Sequence, residues 1–392
     1  MYFRYVVAVV LCACSAGGDA DGTEPSTDAG TGGTGDGPHG ATGGSGVEVE
    51  AEAETEASAV TTTSADSGQA EGDSDTTGGQ DVAEIVALSS AAAHRCAVIE
   101  GGTLWCWGRN DDGELGNGQR GGLSPVPVQV ISSAVFTSVA VGSFGGGNSI
   151  AVSDDGTVWR WGERATSVPT EVLGLPPAVG VATGSAEHCI IAEDASLWCW
   201  SPLEAPSQSE VSGVVDVTHT SAGFHFCAAS SDGVVRCRGG NDDGQLGTTD
   251  PVGFVMGPPS GGPVRDLRTW SSRANLQLHG GSCLVPADGT LWCWGAAAGV
   301  NGSEAQQIAG LSNLASIGST RGPYLRQDST VMIDRDGTLE LLLDDVTLIG
   351  PSCAAKDDGT IWCWGSNANG GLGDGTVDDS DDPVQVTPSW LE

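Results

Sequence analysis

Cys96-Ala97-Val98-Ile99-Glu100-Gly101-Gly102-Thr103-Leu104-Trp105-Cys106-Trp107 decides the fold, because relatives of this stretch recur along the C-terminal three-quarters of the 392-residue chain. Residues 189–200, 283–294 and 353–364 repeat it, each with two cysteines ten positions apart and tryptophans on both sides of the second. Cys227 and Cys237 keep the spacing without the tryptophans. Residues 150–161 and 331–342 keep the pattern without the cysteines, the latter around Asp336-Gly337-Thr338-Leu339, and bring the number of units to seven.

A spacing of ten fits an antiparallel hairpin whose cysteines face each other across a three-residue loop. Glycine stands at the third loop position in six of the seven units, as Gly102, Gly156, Gly233, Gly289, Gly337 and Gly359, with Ala195 the exception. That position needs a left-handed backbone, which glycine adopts without steric cost. The flanking runs are rich in Val, Ile, Leu and Trp, as half-buried strands are. Directly opposed residues lie roughly 4.5–5.5 Å apart at the alpha carbons, within reach of a disulfide. Units also lose their cysteines in pairs: Ile150 is expected to oppose Arg160, and Val331 to oppose Leu341. Structural zinc sites instead take cysteines about two to four residues apart, a spacing absent among these ten. The expected bonds are Cys96–Cys106, Cys189–Cys199, Cys227–Cys237, Cys283–Cys293 and Cys353–Cys363. Each closes a short loop and contributes on the order of 3 kcal/mol in the chain-entropy picture.

The rest of the composition agrees with glycine-punctuated β structure: 61 Gly and only 5% aromatic residues argue against a helical chain. Residues 1–13 read as an export signal, with Arg4 as the positive start and an apolar run over residues 6–11 that is too short to cross a bilayer. Leu11-Cys12-Ala13-Cys14 resembles the lipobox of bacterial lipoproteins, which implies cleavage before Cys14 and lipidation of that cysteine, and Ser15 suits retention at the outer membrane. An ordinary cleaved signal without lipid is the alternative. Residues 15–80 hold fourteen Asp and Glu, no Lys or Arg, and runs of Gly, Ser, Thr and Ala. Such a segment cannot bury a core, so residues 14–80 are expected to form a disordered, self-repelling tether.

Residues 81–392 then repeat with a period of roughly 44 residues, the length of a propeller blade of four short strands. In the first unit the strands are expected over residues 85–88, 94–99, 103–108 and 126–130. Only 22 residues separate Val331 from Cys353, so the sixth blade is expected to lack its outer strand. The strands at residues 83–88 and 384–386 are expected to close the ring in one shared blade.

Trp107-Gly108-Arg109-Asn110-Asp111-Asp112-Gly113-Glu114-Leu115-Gly116, residues 240–247 (Gly-Asn-Asp-Asp-Gly-Gln-Leu-Gly) and residues 364–373 (Trp-Gly-Ser-Asn-Ala-Asn-Gly-Gly-Leu-Gly) resemble the signature of the regulator of chromosome condensation repeat family. The resemblance implies an all-β, seven-bladed β-propeller. That family includes exchange factors for small GTPases and, among bacterial members, propellers that inhibit secreted enzymes by covering their active sites. The signature is complete in three units only, and the third unit runs directly into Ser201-Pro202.

Strand alternation along Trp105-Cys106-Trp107 sends the cysteine to one face and both tryptophans to the other. Ten of the twelve tryptophans lie in such pairs, so packing between neighbouring blades is expected rather than a sugar-stacking platform. His94 and His225 lie two before a cysteine and His188 one before, a repeated placement that argues for a structural role. No serine nucleophile elbow, phosphate-cradling glycine loop or His-Glu-x-x-His motif occurs, and no catalytic residue, metal or cofactor is expected. The acid pairs Asp111-Asp112, Asp242-Asp243 and Asp378-Asp379-Ser380-Asp381-Asp382 could take calcium through oxygen ligands, against solvated turns as the plainer reading. Residues 153–159 are similar to the Asp-box of sialidases but stand one register off. In the fourth unit Arg236 and Arg238 replace the tryptophans in a domain with 14 Lys and Arg against 37 Asp and Glu, a net charge of −23. They either stack on a neighbouring blade or anchor a partner.

These features lead to a non-enzymatic, lipid-anchored binding propeller at the outer membrane, periplasmic or surface-exposed, that engages a protein or surface polymer through its loop faces. A monomer is expected, touching membrane only through its lipid. Guanine-nucleotide exchange on a small GTPase and envelope glycan hydrolysis are the alternatives; the second would show as loss of activity on replacing one carboxylate. Nucleic acid is disfavoured as a partner, and none is expected, because a net charge of −36 with Lys356 as the single lysine repels phosphate.

Overall fold

Four short strands follow one another in each repeat and pair in chain order, so that every repeat closes its own antiparallel sheet. The computed structural model describes residues 83–391 apart from 143–146, 163–165, 185–186, 202–203, 210, 220–224, 249–253, 257–261, 275–276, 297–299 and 301. The expected signal, Cys14 and the tether to residue 80 lie outside the described residues. Blade 1 is built from Ile85–Ser90, His94–Ile99, Thr103–Arg109 and Leu123–Gln129, and six further four-stranded sheets complete a seven-bladed propeller. The outer strand shortens to Ser207–Gln208 in blade 3 and Gln306–Gln307 in blade 5.

The first strand of each blade packs against the next blade around the ring. Each of these inner strands carries one extra residue near its start, between Ile85 and Ala87, Phe136 and Ser138, Ala178 and Gly180, Val214 and Asp216, Val264 and Asp266, Leu314 and Ser316, and Val346 and Leu348. A bulge of this kind bends a strand and increases its twist. Its sevenfold repetition therefore gives every blade the same entry into the ring.

The central hairpins follow the expected register. Cys96 opposes Cys106, Cys189 opposes Cys199, Cys227 opposes Cys237, Cys283 opposes Cys293 and Cys353 opposes Cys363, and each pair is joined as a disulfide. Ile150 opposes Arg160 in the second blade. At the loop position where the third unit has no glycine, Ala195 takes the left-handed conformation at φ 61.

The sixth blade departs from expectation. Its central hairpin is Tyr324–Arg326 with Val331–Arg335, turning at residues 327–329, and Asp336-Gly337 is the turn between its third and fourth strands. Val331 consequently opposes Leu343 and not Leu341. The outer strand expected to be missing is present as Thr338–Leu343. The two turns share a need for left-handed backbone: Asp336 and Gly337 sit at φ 54 and 83, as a two-residue hairpin requires, while Ser329 at φ 65 fills the glycine position of the central loop.

The ring also closes differently. Residues 83–88 do not share a sheet with residues 384–386: Ile85–Ser90 belongs to the first blade, while Ser380–Gln385 pairs with Ile361–Gly365 in the seventh. All four positions of both sheets are filled from contiguous sequence, so closure falls to contacts between the blades, among them the Gly375 amide donating to the Pro125 carbonyl at 2.9 Å. Leu88, Ala97 and Trp107 of blade 1 pack with Ile361, Leu372 and Val386 of blade 7 in one buried cluster. The short 3-10 turn Ser389–Leu391 adds Trp390, which meets Trp105 edge-on with ring centroids 6.3 Å apart.

Candidate functional site

Within a four-stranded meander the turns between strands 1 and 2 and between strands 3 and 4 lie at one end, and the hairpin tips and the links to the next blade at the other. The first end holds the signature loops. In them an asparagine organises the backbone: the side-chain oxygen of Asn110, Asn241 and Asn367 accepts from the amides of Leu115, Leu246 and Leu372 at 3.1, 3.0 and 2.8 Å. Two loops then bring a polar side chain back onto the turn, Glu114 accepting from the amide of Asp112 and Gln245 from that of Asp243. Arg109 donates to the buried Glu114 carboxylate at 3.0 Å, and burial still pushes that carboxyl above its ordinary value.

These loops are seams rather than open clefts. Trp161 of blade 2 donates to the carbonyl of Glu114 in blade 1 at 2.7 Å, and Trp294 of blade 5 to Gln245 in blade 4 at 2.8 Å. The hydroxyls of Ser149 and Ser282 donate to the same two carbonyls at 2.9 Å. Each hydroxyl has one proton, so the imidazoles that meet it are the donors: His94 Nε2 at 2.8 Å from Ser149 and His225 Nε2 at 3.1 Å from Ser282. Burial, the largest cause, depresses both imidazoles to about 3. They are neutral structural groups, as their repeated placement implies. His188 bonds the Thr183 hydroxyl at 2.6 Å and packs on Trp200. In four of the five pairs the first tryptophan turns back onto its own hairpin, Trp159 bonding Ser153, Trp198 Ser196, Trp292 Thr290 and Trp362 Thr360, whereas Trp105 meets Trp390. The indoles thus serve blade packing.

The five disulfides are buried in separate sheets and do not converge. Glu187 lies beside Cys189 and Cys199, but those sulfurs are bonded to each other and offer no thiolate ligand. Several of the acidic loop residues are already spent on backbone donors: Asp243 accepts from Gly280 and Asp379 from Asn367.

Two features were not legible. The inner strands of blades 4 to 6 carry a charged set, in which Asp266 bonds Arg268 at 2.5 Å and accepts from Ser316 and the Ile317 amide at 2.8 and 2.7 Å. Arg268 also donates to the Ile317 carbonyl, and half-buried Asp216 accepts from the Leu267 amide at 3.1 Å. Desolvation, reinforced by the Asp266 charge and opposed by Arg268, lifts Asp216 to about 7. The second feature is a buried arginine, Arg95, at the seam of blades 7 and 1. A charged residue one place before a repeat cysteine, where blades 2 and 5 have serine, was the available signal.

Arg236 and Arg238 stand on the third strand of blade 4, Val235–Gly239. The Arg238 guanidinium lies 4.4 Å over the Phe226 ring of its own blade and pairs with Glu187 of blade 3. The hairpin-tip end is acidic, through Asp154, Asp155, Glu193, Asp194, Asp232, Asp328 and Asp358. Hydroxyls two residues away hold the carboxyls of Asp155, Asp194, Asp232 and Asp328 below the usual range. Among these tips the chain exposes apolar side chains, Val135 at the entry to blade 2 and the bulge residues Val179 and Val215 of blades 3 and 4.

The family model described as regulator of chromosome condensation (RCC1) repeat matches residues 101–146 and 358–389, which lie in the first blade, the start of the second, and the last. The RCC1 domain-containing protein RUG3 of Arabidopsis thaliana mitochondria is 28% identical over 156 residues, covering 36% of this chain and 34% of that protein. The chain thus matches about a third of that relative's length. Among solved structures, human WBSCR16 superposes with a TM-score of 0.61 at 18% identity, over 73% of this chain and 94% of the other. Yeast Prp20p, described with its binding to Gsp1p and histones, superposes with a TM-score of 0.50 at 15% identity over 78% and 77%. At these identities the likeness speaks for the fold.

Proposed function

We propose that this protein is a non-enzymatic binding propeller, held at the cell envelope by a lipid on Cys14, that grips another protein through its hairpin-tip face. The observation that carries the reading is the set of exposed valines, Val135, Val179 and Val215, standing among acidic hairpin tips on consecutive blades. Val179 and Val215 occupy the same bulge position on neighbouring blades, a repetition on one face that sets them apart from singly scattered apolar residues. The five disulfides support export, since such bonds persist in oxidising compartments. The likeness to Prp20p, a protein described as binding other proteins, supports binding as the use of the ring, and it equally favours the second reading, exchange on a GTPase. Arg236 and Arg238 are proposed as a further contact of the partner.

The test is recovery of partners cross-linked to the native protein in its host, compared with Val179→Asp/Val215→Asp. Leu341→Asp, on the outer strand of blade 6 where the side chain is 62% exposed, is the control. Loss of a cross-linked protein with the valine variant alone supports the tip face, and equal recovery from all three refutes it. Intact mass with and without reduction reports the lipid and the disulfides together. Free thiols and an uncleaved Met1 would return the GTPase reading to the front.

A further inference from the structure

The seam that closes the ring departs from a pattern that two other seams share. Between blades 1 and 2, and again between blades 4 and 5, a histidine, a serine hydroxyl and an indole converge on the carbonyl of Glu114 or Gln245. At the seam of blades 7 and 1 the corresponding positions are Pro351 for the histidine, Arg95 for the serine and Gly371 for Glu114 or Gln245. Only the indole bond survives, from Trp107 to the Gly371 carbonyl at 2.8 Å.

The three changes fit one another. A Cβ at position 371 would lie 1.6 Å from Arg95 Nη1, so the missing side chain makes room for the guanidinium. Arg95 is 3% exposed. Its Nη2 donates to the Ser352 hydroxyl at 3.1 Å, whereas Nε and Nη1 meet no acceptor. No carboxylate pairs with it among the described residues. Directly across the strand pair stands Ser90, whose buried hydroxyl is also without a partner. Register places Ser90, Arg95 and Trp107 on one face of the sheet, and the bonds of Arg95 and Trp107 show that this face looks onto blade 7.

An interior guanidinium is costly by several kcal/mol unless it is paired and its donors are satisfied. Burial lowers Arg95 to about 10, so the side chain still carries its charge at neutral pH. What the seam offers is therefore a fixed positive charge with unspent N–H donors, and an unpartnered hydroxyl on the neighbouring strand. That is the chemistry that recognises a small anion.

We propose that the seam between blades 7 and 1 binds one monovalent inorganic anion of about chloride size on an unspent guanidinium N–H of Arg95, tying the last blade to the first. The anion neutralises the guanidinium, which itself fills the place that a side chain at position 371 would take. Binding to the folded state alone makes the anion a stabiliser by mass action.

The experiment is thermal unfolding of the full chain in a sodium bromide series, with sodium gluconate holding the ionic strength constant, because any salt screens the repulsion of so acidic a domain. The midpoint is expected to rise on the order of 3 °C for each tenfold increase in bromide above its dissociation constant. The Arg95→Ser/Gly371→Gln variant, which restores the serine and the glutamine of the blade 4–5 seam, is expected to be insensitive to bromide. Coincident midpoints in bromide and gluconate for the native protein, or a bromide shift retained by the variant, overturn the proposal. Should the variant fail to fold, anomalous scattering from crystals grown in bromide decides: a peak beside Arg95 supports the site, and its absence there overturns it.

Discussion

The indole nitrogen of Trp107 donates at 2.8 Å to the carbonyl oxygen of Gly371, 264 residues further along the chain. Trp161 and Trp294 make the same bond between blades adjacent in sequence. Ring closure is thus an ordinary seam in its indole contact, made without a shared sheet. Trp107→Phe leaves the Gly371 carbonyl without this donor, a loss of about 1–3 kcal/mol, with a further packing loss from the smaller ring. Urea unfolding of Trp107→Phe, Trp161→Phe and Trp294→Phe should give similar losses. A closing seam that tolerates Trp107→Phe within about 0.5 kcal/mol would mean that the bond contributes nothing to closure.

His94 and His225 titrate near 3 in the folded protein against about 6.5 when unfolded. Between those values the unfolded chain binds the protons and the folded chain does not. Stability is therefore present above pH 6.5 and falls on acidification, by about 1.4 kcal/mol per pH unit for each histidine. Replacing both by glutamine, which keeps a donor toward Ser149 and Ser282, should flatten this acid limb. An acid limb of unchanged slope in the double variant would remove the histidines as its cause.

Asp216 acts in the opposite sense. Its carboxyl is lifted to about 7, chiefly by desolvation, so from roughly pH 4 to 7 the folded chain holds a proton that the unfolded chain has released. That group alone makes stability fall as pH rises through this window. Asp216→Asn should raise the unfolding midpoint at pH 7.5 and steepen the acid limb, because the histidine contribution is no longer offset. A midpoint that drops at pH 7.5 would mean that the ionised carboxylate, through Arg268 and the Leu267 amide, is a net stabiliser.

What the sequence made legible was what local chemistry repeats. Ten-residue cysteine spacing has one simple antiparallel solution, and a tip glycine between apolar runs marks where the chain turns, so the hairpins of six blades could be placed to the residue. The sixth blade misled because Asp336-Gly337-Thr338 copies the tip chemistry at a different turn. The better signal was Asp328-Ser329-Thr330: Asp328 accepts from the amide and hydroxyl of Thr330, as Asp288 does from Thr290 and Asp358 from Thr360. Arg95 and the Asp266–Arg268 pair stayed hidden for another reason. Their meaning depends on Gly371, Ser316 and Ile317, which approach only when distant blades meet.

The corrected sixth hairpin carries its own test. Ser329 holds φ 65 at the tip position that is glycine in five other blades. A residue with a Cβ spends roughly 1–2 kcal/mol in that conformation, while glycine adds about 0.4–1 kcal/mol of unfolded-state entropy. Ser329→Gly should therefore stabilise by up to about 1.5 kcal/mol, the difference of those two terms, and Ala195→Gly, at φ 61, should behave alike. Gly337→Ala should be destabilising, although a Cβ there meets open space, because its φ of 83 strains any side chain. Urea midpoints measure all three. Destabilisation by Ser329→Gly would place the tip elsewhere and return the central turn of blade 6 to Asp336-Gly337.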